Sequence, residues 1–103
     1  MDTERVSAYR ALRIARNDKT PLPGFEQDDY APFSNANERT IKSILDEYEA
    51  LRNATLALAN SFTQEDLLRV GTANNNAVSV RALIYHIAGH EQHHINIIKE
   101  RYL

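Results

Sequence analysis

All four histidines of the chain fall within nine positions, as His86, His90, His93 and His94 in the run HIAGHEQHH. A neutral imidazole is the commonest side-chain metal ligand near neutral pH. His90 and His94 stand at i and i+4, so on a helix they project from one face, one turn apart, and can share an ion. Val80, Leu83, Ile84, Ile87 and Ile98 set the apolar direction of that helix. With residues placed at about 100° steps, His94 lies about 30° from the apolar centre and His90 about 70°. Glu91 lies about 30° to the other side, and His86 and His93 fall beyond about 100°, toward solvent or a side contact.

That distribution carries a cost. Two imidazoles and a carboxylate on a core face each need a polar partner to be buried. A divalent cation held by His90 and His94 would supply one, with Glu91 as outer-shell partner or general base. Hydrogen-bonded core histidines, or a polar seam between two copies, would answer the same cost without metal. A catalytic zinc-type site normally has three protein ligands and one open position. The third ligand is not evident from spacing.

The elements that must position these residues read as three helices. Residues 2–17 (DTERVSAYRALRIARN) lack Gly and Pro and are rich in helix formers, but no capping residue precedes them. Residues 18–34 hold all three prolines and no periodicity, which predicts a loop. Leu22, Phe25, Tyr30 and Phe33 should pack that loop on the body, with Glu26, Asp28 and Asp29 as a solvated edge. A second helix is expected over about 37–61, opened by a capping box of Asn35 with Glu38. Its core stripe would be Ile41, Ile44, Leu45, Tyr48, Leu51, Thr55, Leu58 and Phe62. Thr63-x-x-Asp66 could cap one further turn, GTANNN (71–76) breaks the pattern, and Ser79 is a plausible N-cap for a third helix over about 79–102. No segment alternates with period two, so no sheet is expected and the class is all-α.

Composition narrows the function classes. The 103 residues suffice for one domain, residues 1–103, at 43% hydrophobic and 25% charged. Twelve basic against 14 acidic residues give a net charge of −2, which offers no reason to expect a nucleic-acid or membrane-surface partner. With no cysteine, a metal can be held only by His, Asp, Glu or water. No apolar run is long enough to span a bilayer and no signal peptide opens the chain, so a cytoplasmic location is the default expectation.

The run SVRALIYHIAGHEQHHINIIKERYL resembles the last helix of the DinB-like (DinB/YfiT) superfamily of helical-bundle metalloproteins. Upstream, DTERVSAYRALRIARNDKTPLPGFEQDDY is similar to the end of the second helix and the following loop of one subgroup. The resemblance implies a four-helix bundle that binds a divalent ion (Zn, Ni, Fe or Mn) through three histidines. Two of them match His90 and His94. The third would lie on the second helix shortly before the segment matching Asp2 to Arg5, so the first helix and that histidine are expected to be missing from this chain. Assigned relatives include thiol-dependent transferases and a maleylpyruvate isomerase, so a metal-dependent hydrolase or thiol-dependent transferase is implied. The alternative is a non-catalytic helical dimer without metal. Three helices would leave one flank of the core open, which predicts a homodimer. The metal site would then be incomplete or finished across the interface, with His93, His86 or Glu4 as candidate ligands.

Overall fold

The computed structural model describes residues 1–89. Within them the chain is mostly helical. Helix α1 (Asp2–Ala15) has no side-chain cap at its start, and Arg13 in its last turn sits favourably against the helix dipole. The chain then turns through Asn17 in the left-handed region (φ 62°), a conformation asparagine tolerates. Asp18 fixes this exit, accepting from the Thr20 backbone N–H at 2.9 Å and from Arg13 at 2.7 Å.

The proline-bearing loop is anchored to the body around Leu22 and Pro23, the Pro23 carbonyl accepting from Arg10 at 2.7 Å. Leu22 is buried, its N–H donates to the Thr72 carbonyl at 2.9 Å, and its own carbonyl accepts from the Asn74 N–H at 3.0 Å. Further along, α2 (Gln27–Tyr30) and a 3-10 turn (Ala31–Phe33) stay on the surface. Leu22 packs as the loop's apolar content predicts and Phe25 does so in part, half-buried beside Tyr30 and Arg10, whereas Tyr30 is exposed and Phe33 is 83% exposed.

The long helix α3 spans Ile41–Ser61 and starts later than the sequence suggests. Asn35 adopts a left-handed conformation (φ 58°) with no side-chain cap, and residues Ala36–Glu38 make a single 3-10 turn. Glu38 therefore lies outside the helix and the expected capping box does not form. Thr40 is the true cap, accepting from the Ser43 N–H at 3.1 Å. Helix α4 (Gln64–Leu68) does open with the expected box: Thr63 and Asp66 exchange hydrogen bonds of 3.1 and 2.9 Å.

An antiparallel hairpin, β1 (Val70–Ala73) and β2 (Asn76–Ser79), corrects the strictly all-α expectation. Its register pairs Val70 with Ser79 and Ala73 with Asn76, leaving Asn74 and Asn75 as a two-residue turn with φ of 52° and 65°. Two positive φ values in a two-residue loop match the right-handed twist of paired strands, and asparagine supports them without a glycine. Strands of four residues are too short for an alternating pattern to register, which is why only the turn was legible. The last helix, α5, begins at residue 80 and is described through residue 89. Ser79 caps it, accepting from the Ala82 N–H at 3.0 Å.

The core joins the ends of these elements. Ala11, Ile14 and Ala15 of α1 pack with Phe62, Val80 and Leu83, and Leu58, Leu67, Val78 and Ile84 close around them. Gly71 is required by this contact: a β-carbon there would come within 2.6 Å of Ile14 Cγ1. On α3, Thr55 is buried and Leu58 packs on the core. Ile41 and Leu45, expected inside, are 76% and 60% exposed, and Leu56 is also exposed. The first half of α3 thus has an apolar side with no neighbour among the described residues.

Candidate metal centre

Helix α5 carries His86, the first of the four histidines. Val80, Leu83 and Ile87 are buried, at steps of three and four residues, as the sequence requires of the inward face. His86 lies off that face and is exposed. His90, Glu91, His93 and His94 lie outside the described residues.

Across from α5, the α1–α3 seam holds the most buried charge of the described chain. Glu4 is buried, with Oε1 accepting from Arg52 at 2.8 Å and Oε2 from the Thr55 hydroxyl at 2.6 Å. The Glu4 and Arg52 side chains are 9% and 16% exposed, so this pair is largely withdrawn from water. Such a pair holds together only when its lone pairs are satisfied, and Thr55 completes the set. Arg52 also stands over the Tyr48 ring, 5.7 Å from its centroid. One turn outward, Arg5 donates to Glu47 at 2.6 Å and Arg39 pairs with the same carboxylate. Hydrogen bonds from Arg5 and then Arg39 hold the Glu47 carboxyl below the usual range.

These contacts bear on the candidate ligands. Both Glu4 oxygens are engaged, and a guanidinium beside it opposes a second cation. Glu4 is therefore a structural acid and an unsuitable third ligand. Nothing in the spacing of Glu4, Arg52 and Thr55 announces their meeting, although Thr55 stands out as a polar residue on a core face. Among the described residues, no group of three or more His, Cys, Asp or Glu could hold a metal ion. The described residues do not supply a complete ligand set.

Comparison with known proteins gives the context for the histidine helix. A protein of Oceanobacillus iheyensis named "putative metal-dependent hydrolase" is 28% identical over 100 residues, covering 92% of this chain. The chain spans 56% of that relative's length. No solved structure gives a significant match. The family model described as the DinB superfamily matches residues 1–98, from the first turn of α1 through the histidine run. With nearly the whole chain matched, and with a helical body that leads into HIAGHEQHH, this protein belongs to the DinB superfamily.

Proposed function

We propose that the chain is a divalent-metal-binding protein whose ligands on the last helix are His90 and His94, with Glu91 beside them handling protons. The observation that carries this reading is the i, i+4 histidine pair in the sequence, which at helical spacing would follow on from the buried Val80, Leu83 and Ile87. The relative's name supports metal dependence and favours a hydrolase over a thiol-dependent transferase. With the chain at 56% of that relative's length, the activity remains part of the proposal.

The apolar side of α3, which has no neighbour among the described residues, favours assembly with a second copy. Ile41 and Leu56 are fifteen residues apart, about 22 Å along a helix. An antiparallel second α3 would set each Ile41 beside the partner's Leu56 and cover both. A homodimer of this kind could bring a third ligand to the metal, and with Glu4 engaged the candidates are His86 and His93. Metal analysis of untagged protein tests the reading. Protein reloaded with zinc, nickel, iron or manganese should retain one of them near stoichiometry, and His94→Ala should lose it. Retention of the metal by His94→Ala would refute the assignment.

A further inference from the structure

We propose that a cleft at the start of α5, none of whose lining residues is a histidine, binds a small amphipathic carboxylate: an aryl or alkyl chain ending in one carboxylate group. The cleft is a surface groove of about 380 Å³, open to solvent and lined by Ala59, Gln64, Leu67, Arg81, Ile84 and Tyr85. A volume of a few hundred cubic ångströms with an apolar lining and few polar groups is what small-molecule sites provide. Leu67 and Ile84 form an apolar floor that packs directly on the core cluster.

The charge at the rim selects the ligand class. Arg5, Arg13, Arg39, Arg52 and Arg69 each meet a carboxylate. Arg81, like Arg10 and Arg16, has no carboxylate partner among the described residues, and of these three it alone lines the cleft. Tyr85 holds it in place, with the guanidinium 5.3 Å above the ring and a donated hydrogen bond of 3.2 Å to the hydroxyl. Glu65 and Asp66, which flank the lining residues Gln64 and Leu67 in sequence, are both engaged by Arg69. A guanidinium fork pre-positioned at the edge of an apolar floor matches a carboxylate whose hydrocarbon part lies on Leu67 and Ile84. An apolar peptide segment would leave Arg81 unanswered, and a strongly hydrated ion such as phosphate would leave the floor exposed.

The test is an amide chemical-shift titration of the full chain with octanoate and benzoate, each beside its neutral analogue, octanol or benzyl alcohol. Saturable shifts confined to Ala59, Gln64, Leu67, Ile84 and Tyr85 are expected, with the acids binding about ten-fold more tightly than the alcohols, the scale of one charge-assisted hydrogen bond. Arg81→Gln should abolish that preference, and Arg81→Lys should keep part of it. Both variants should keep the wild-type spectrum elsewhere, since Arg81 is exposed. Equal affinity for acid and alcohol, shifts that never saturate, or shifts scattered over the surface would overturn the proposal. Zinc content is indifferent to all of these outcomes, so failure here leaves the metal reading untouched.

Discussion

Single side chains carry two kinds of information in this protein, and the sequence exposes only one. The i, i+4 pair His90–His94 is visible because helical spacing is local. The Glu4–Arg52–Thr55 group is not, because its members are 48 and 51 residues apart and meet only when α1 lies on α3. Truncating one member of a largely buried pair leaves the other unpaired, so Glu4→Ala should cost about 3 kcal/mol. For a domain of this size that lowers the melting temperature by more than about 10 °C, measurable by circular dichroism. Asp18 offers a milder test. Hydrogen bonds from Thr20, and then Arg13, hold its carboxyl down from 3.8 to about 2. A depressed acid stabilises the fold above its unfolded pKa and loses that contribution as pH falls through its folded value. The Asp18 contribution should therefore fade between pH 3.8 and about 2, with a carboxyl carbon titration midpoint near 2 by NMR. A midpoint near 3.8 would show that the Thr20 contact is not kept in solution.

At the scale of elements, what was legible followed from local chemistry. The Thr63–Asp66 box, the Ser79 cap and the break at residues 71–76 all rest on side chains acting within four residues of themselves. The hairpin escaped because four-residue strands show too little alternation, and the start of α3 was misplaced because Asn35 takes a left-handed conformation instead of capping. Thr63→Ala should cost about 1 kcal/mol through loss of the α4 cap. Gly71→Ala should cost about 1–3 kcal/mol, because the added methyl meets Ile14 in a close-packed core. Chemical denaturation of both variants checks the order; a stabilising Gly71→Ala would mean that Ile14 can withdraw at no cost.

For the whole molecule, the helical class and the bearing of α5 were readable, and the exposure of α3 was not. Periodicity shows that Ile41 and Leu45 share a face, but only the packed structure shows that this face lacks a neighbour among the described residues. If a second copy covers it, light scattering should give twice the chain mass, and Leu45→Glu should give a monomer, since a charge on a covered apolar face opposes association. A monomeric wild-type protein would remove the homodimer from the account.

The proposed role of His90 and His94 is to hold a divalent cation. The most direct measurement is the metal-to-protein ratio of untagged protein by mass spectrometry, after reloading and dialysis, for the wild type and for His90→Ala and His94→Ala. A ratio near one ion per site is expected in the wild type, with a loss in both variants. A wild-type ratio below about a tenth for zinc, nickel, iron and manganese alike would contradict it.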